Sequence, residues 1–207
     1  MKNKKAIGLL FVANIISGFA QGISMIAIPW YFADILGMGG TYAKAYAILT
    51  FASLFWGLYS GTLIDRYSRK KMFLYSNLAC AFIIGSIALY GMSFGHTPWI
   101  LVMAVFGTTM FHYNVHYPNL YAFGQEITEP KNYAKLNAYI EIQGQSTSIF
   151  AGAFAAILLT GTENGILNLL GLNIQMPFDI QAWQIHEIFL MDAFTYALAF
   201  IIILFIK

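Results

Sequence analysis

Residues 45–93 read AYAILTFASLFWGLYSGTLI, then DRYSRKK, then MFLYSNLACAFIIGSIALYGMS. Two apolar runs, 45–64 and 72–93, are separated by the charged loop Asp65 to Lys71. Each matches the ~20 predominantly apolar residues that a helix needs to cross a bilayer. Outward from this pair the same reading gives four further spans, at 6–33, 98–122, 136–160 and 186–206. The remaining breaks are made of turn-forming or charged residues: Gly37-Met38-Gly39-Gly40, Gly95-His96-Thr97-Pro98, and Glu126 to Lys135. The pattern predicts an all-α membrane protein of six transmembrane helices.

Composition excludes the soluble alternative. Hydrophobic residues make up 59% of the 207 and charged residues 10%, against ~25% charged in an ordinary soluble domain. A chain of this length has too little interior to hide so much apolar surface. The 18 glycines lie mostly inside or beside the apolar runs, where they permit close helix packing in lipid. The single cysteine, Cys80, excludes an internal disulfide. At the N-terminus Lys2, Lys4 and Lys5 precede an apolar stretch, and Gly18-Phe19-Ala20 has the small residues of a cleavage site. The stretch runs on to Trp30 and Tyr31, which suits an uncleaved first span better than a removed signal.

Charge placement sets the orientation. With six spans and a cytoplasmic N-terminus, Lys2, Lys4, Lys5, Arg66, Arg69, Lys70, Lys71, Lys131, Lys135 and Lys207 all fall inside, and only Lys44 of the 11 basic residues falls outside. This is the positive-inside bias, and it predicts a multi-pass protein of the cell (inner) membrane with both termini cytoplasmic. Segment 161–185 breaks the run of short loops. Its apolar patch Ile166 to Leu172 is too short to cross, so it is expected to lie along the outer interface, anchored by Trp183, as a small cap or a substrate gate.

The loop between the second and third spans reads Gly61-Thr62-Leu63-Ile64-Asp65-Arg66-Tyr67-Ser68-Arg69-Lys70-Lys71. It closely resembles the loop signature of the major facilitator superfamily: glycine, three residues, Asp-Arg, one residue, glycine, then basic residues. The one departure is Ser68 in place of the second glycine. Shorter stretches resemble the macrolide-efflux and siderophore-export branch: Ile28-Pro29-Trp30-Tyr31, Tyr117-Pro118-Asn119-Leu120, Leu136-Asn137-Ala138, and Leu190-Met191-Asp192-Ala193-Phe194-Thr195-Tyr196. Together the resemblance spans about Ile7 to Ile206. It implies a secondary transporter of a small organic solute, outward-moving in the sense of that branch, working by alternating access, and not an enzyme. It casts Gly61, Asp65, Arg66, Arg69 and Lys70 as a cytoplasmic latch, with Glu126 a local partner for Arg69. A carboxylate at a helix N-terminus is favoured by ~0.3–1 kcal/mol, which is compatible with such a role. The Gly-Pro motif of antiporters is absent from the fifth span, where Ala151-Gly152-Ala153-Phe154 stands instead.

The resemblance further implies that this chain is one six-helix half, with substrate bound between it and a second half near the midplane. The chain ends at Lys207, directly after the sixth span, so a truncated sequence is expected, or pairing with a second chain; a half-size, non-transporting subunit is the alternative. Gly57 and Gly61 in the second span, and Gly144, Ser148, Gly152 and Ala156 in the fifth, recur every four residues. Such spacing serves either an approaching partner helix or packing within this half.

Polar residues inside a bilayer are costly and face a cavity or another helix. Asn14 and Gln21 share a face of the first span; His112, Asn114 and His116 lie in the fourth, and Gln143 in the fifth. The resemblance makes these six the candidates for the substrate cavity. Glu141 lies ~10 Å in from Ala134 and His112 ~13 Å from Tyr121, at ~1.5 Å per residue, so a His112–Glu141 pair is geometrically possible and Glu141 is the candidate proton carrier. His112 and His116 have metal-binding spacing but too few further ligands, so no metal is expected. No phosphate loop or nucleophile elbow occurs, and no cofactor is expected. The expected partners are the lipid bilayer, a small-molecule substrate and a second six-helix half, with no nucleic acid.

Overall fold

The computed structural model describes residues 3–162, 166–169, 172–175, 177 and 179–206. Six long helices account for most of them: α1 Lys4–Trp30, α2 Gly39–Arg66, α3 Arg69–Phe94, α4 Trp99–Glu126, α5 Tyr133–Thr160 and α6 Ile185–Leu204. A π-helical turn, Tyr31–Ile35, extends α1 just after Pro29. Proline supplies no backbone donor, and a wider turn is one way a helix accommodates the break. Between α5 and α6 two short strands, β1 Ile166–Leu169 and β2 Leu172–Gln175, pair antiparallel with Ile166 opposite Gln175. Part of 161–185 therefore satisfies its backbone as a hairpin, where the sequence suggested only an apolar patch on the interface. The rest of the patch, Leu170 and Gly171, lies outside the described residues, as does Met176.

Local chemistry explains the helix ends. Gly95 closes α3 in the left-handed conformation at φ 73°, which glycine adopts without penalty. Gln184 and Glu187 form a capping box that starts α6. Ser68 occupies the N-cap of α3 at φ −57°, so the loop reaches α3 without the positive φ that would demand glycine. Lys70 reaches from the first turn of α3 to donate to the carbonyls of Leu204 and Ile206, at 3.0 and 2.5 Å, at the C-terminal end of α6. A cation there complements the helix dipole.

Five helices, all but α4, are long and apolar enough to cross a membrane. α4 is equally long, and its lower hydropathy has a visible cause, since His112, His116, Asn119 and Thr109 are all buried on it. α1 is the central element, packed against α4, α5 and α6, while α3 packs on α4 and α6. α2 leans on α4 and buries only Ser60 and Ile64. Pro118 of α4 has no N–H to give the Asn114 carbonyl, and the Ser60 hydroxyl donates to that carbonyl at 3.1 Å instead. Trp56 Nε1 donates to the Phe111 carbonyl at 2.9 Å, a second link between α2 and α4.

The core has two apolar layers. One, nearer the hairpin, gathers Ile28 and Phe32, Ile84, Phe106, Phe189 and Tyr196. The other, nearer the 65–71 loop, gathers Leu10, Phe73, Leu120, Phe123, Leu136 and Ile140. Along α1, α4 and α5 the residues between these layers are polar: Asn14, Ser17 and Gln21, then Thr109, His112 and His116, then Gln143 and Thr147.

Glycines show which faces this chain uses itself. A Cβ on Gly91 would lie 2.5 Å from the Cβ of His186 and also strike Thr97, and one on Gly22 would lie 2.7 Å from that of Ala151. Gly144 and Gly152 of α5 face Tyr117 and Ile26, each at 3.6 Å, so the α5 stripe packs within the chain. Gly57 and Gly61 have nothing within 4 Å. Gly91→Ala is expected to force α3 and α6 apart and cost ~1–3 kcal/mol. Gly57→Ala is expected to be neutral or stabilising by ~0.4–1 kcal/mol. Thermal midpoints of the detergent-solubilised variants test this; equal shifts would contradict the close α3–α6 approach.

Candidate functional site

Four helices, α1, α2, α4 and α5, enclose a cavity of about 510 Å³ in the polar layer between the two apolar ones. α1 contributes Asn14, Gln21 and the small residues Gly18 and Gly22. α4 contributes Thr109, Asn114 and His116 with the rings of Phe106, Tyr113 and Tyr117, and α5 contributes Gln143, Gly144, Thr147 and Ser148. From α2 come Tyr46 and Ser53. Among the described residues no Asp, Glu, Lys or Arg lines it. Its wall offers carboxamides, hydroxyls and an imidazole among aromatic and methionine surfaces, the mixture that typifies small-molecule sites.

One hydrogen-bonded chain crosses three of these helices. His116 Nε2 lies 2.7 Å from Asn14 Oδ1. Asn14 Nδ2 donates to Gln143 Oε1 at 2.5 Å, and Gln143 Nε2 donates to the Thr147 hydroxyl at 3.2 Å. The Asn14 Oδ1 acceptor requires a hydrogen on His116 Nε2, which sets the tautomer of a neutral ring. Asn14, Gln21, Asn114, His116 and Gln143, five of the six cavity candidates, thus come together on one wall.

His112 does not join them. It is buried one turn along the same face of α4, outside the cavity lining, its ring 5.1 Å from that of His116 and 5.0 Å from Tyr196 of α6. Neither of its ring nitrogens has a hydrogen-bond partner among the described residues. The His112–Glu141 pair that the helix spacing made possible does not form among the described residues. Glu141 is exposed, lies outside the cavity lining, and accepts a hydrogen bond from the Tyr121 hydroxyl. The cause is helical phase: Glu141 and Gln143 are two residues apart, about 200° around α5.

The loop motif divides similarly. Arg69 pairs with Glu126 at 3.1 Å, with both side chains substantially exposed, and its carbonyl accepts from Asn119 at 2.9 Å. An exposed pair of this kind contributes ~0.2–1 kcal/mol. Lys70 clamps the end of α6, and Arg66 lies over the Tyr67 ring at 5.9 Å. Asp65 and Gly61 are exposed. Three of the five motif residues therefore contact groups of this chain, with Arg69 and Lys70 fastening the loop to α4 and α6.

Sequence reading missed Tyr46 and Ser53, whose span carries little polarity to draw attention. It also passed over Asp192 as a chemical group, although a lone acid within an apolar span is itself a signal. Asp192 is fully buried on α6. At the hairpin end a smaller cavity of about 320 Å³ is lined by Trp30, His96, Trp183 and His186 among others.

Residues 10–207 match the family model of the Major Facilitator Superfamily. No curated protein and no solved structure matches the chain. The match covers nearly the whole sequence and agrees with the six-helix bundle, its apolar exterior and its polar interior. The chain belongs to the Major Facilitator Superfamily and is a membrane transporter.

Proposed function

We propose that the cavity between α1, α2, α4 and α5 is this chain's share of the binding site of a secondary carrier for a small organic solute. The observation that carries the reading is the cavity's position and chemistry: about 510 Å³ at mid-depth of the bundle, lined by Asn14, Asn114, His116 and Gln143 with four aromatic rings. Carriers of two repeats bind substrate near the midplane where the repeats meet. α2 supports the second-half reading, since Leu54 and Leu58 on it are exposed and nothing lies within 4 Å of where a Cβ would stand on Gly57 or Gly61. Export is favoured by the branch-like stretches at Ile28 to Tyr31 and Leu190 to Tyr196. The Arg69–Glu126 pair and the Lys70 clamp would hold the loop in one state of an alternating cycle and yield in the other. The charge bias favours an inner-membrane protein with the 65–71 loop and both termini in the cytoplasm.

Expressing the gene product in cells and measuring accumulation of a panel of small organic solutes tests the carrier reading. At least one solute should be depleted relative to cells lacking the protein; unchanged accumulation across a broad panel counts against it. Asn14→Ala removes the bridge between His116 and Gln143, a loss of ~1–3 kcal/mol. That corresponds to about tenfold weaker apparent affinity per 1.4 kcal/mol. A depleted solute handled equally well by this variant would disconnect the cavity from transport. Orientation is testable separately, because Cys80 is buried. A cysteine introduced at Ser68 should resist an impermeant maleimide in intact cells while one at His96 reacts, and the reverse pattern would invert the topology.

A further inference from the structure

We propose that Asp192 is a proton-binding site of this protein, connected to the cavity through His112 and His116. The carboxylate is fully buried, and the Ser24 hydroxyl is the one hydrogen-bonding side chain beside it among the described residues, at a geometry that leaves both oxygens without a closed bond. Ser24 of α1 lies beside it, with Cys80 of α3 and Tyr196 one turn further along α6. His112 and His116 of α4 are the remaining titratable groups that face this cluster, through the Tyr196 ring. The ion pairs among the described residues are Arg69–Glu126 and Lys131–Glu129, and neither involves it. A buried ionised carboxylate without a counter-charge is heavily penalised, whereas the neutral acid is not. Intramembrane carboxylates of this kind mark ion or proton pathways.

The route follows from the neighbours. Tyr196 stacks edge-on against His112 at 5.0 Å, His112 lies 5.1 Å from His116, and His116 bonds Asn14 on the cavity wall at 2.7 Å. Along it the Tyr196 hydroxyl, both nitrogens of His112 and Nδ1 of His116 are buried without partners. Buried polar groups are nearly always satisfied, so this concentration of unpaired donors and acceptors from α6 to the cavity is the feature that demands a role. Ring reorientation along this line is what would bring these groups into hydrogen-bond contact and carry a proton between Asp192 and His116. This assignment takes the role of proton carrier away from Glu141, which lies outside the cavity and is exposed. It rests on the carrier reading for its purpose, but its test needs no substrate.

Infrared difference spectra of the full chain in liposomes, titrated in pH, read carboxylic acid protonation directly. A protonated carboxyl band should be present at neutral pH, persist as a shifted band in Asp192→Glu, and be lost in Asp192→Asn, which keeps the shape of the side chain. Its exchange into deuterated water should be slowed several-fold in His116→Phe. A band that survives Asp192→Asn, no band at neutral pH, or loss of the band on adding sodium at fixed pH would overturn the proposal. Unaltered exchange in His116→Phe would overturn the connection to the cavity. Failure of solute depletion with the band intact would instead count against the carrier reading alone.

Discussion

Asn14 bonds in two directions at once, to His116 of α4 and to Gln143 of α5, and the shape of the cavity depends on it. In an apolar solvent a carboxamide has no water to fall back on, so its partners must come from other helices. α1 can approach both of them because it is lined with small residues. Gly18 faces Thr147, and Gly22 approaches Ala151 more closely than any larger residue would allow. Close backbone approach and the hydrogen-bond chain are thus two aspects of one packing arrangement.

The two apolar layers above and below give this polar layer its character. Phe106, Phe189 and Ile84 seal one side, and Phe73, Phe123 and Leu120 the other. Electrostatic interactions strengthen in such a medium, and unpaired groups become expensive for the same reason. The layer contains a hydrogen-bonded chain along the cavity, and unpaired groups lead from it through His112 toward Asp192.

The charged loop works at a different strength. Arg69–Glu126 is exposed to solvent and weak. Lys70 acts on the open carbonyls at the end of α6. Interactions of this size break at little cost, whereas the part-buried links of Ser60 and Trp56 to α4 are shielded from water.

The number of helices, their breaks and the superfamily were legible in the sequence, because the cost of placing a residue in lipid is largely local and adds along the chain. The 65–71 loop was legible for the same reason, its signature lying within a few adjacent residues. Five cavity residues were also readable, since polar groups within apolar spans have few places to face. The tertiary structure alone decided which of them meet. Asn14 and Gln143 are 129 positions apart, and no local pattern pairs them. Helical phase set Glu141 on a different face from Gln143, and α1 and α3, each packed on both α4 and α6, brought the Tyr196 ring to His112. Asp192 meets Ser24 and Cys80 only because α1 and α3 bring them to it. Composition determines what must leave water; the rotation and contact of whole helices determine which polar groups find each other once they have left.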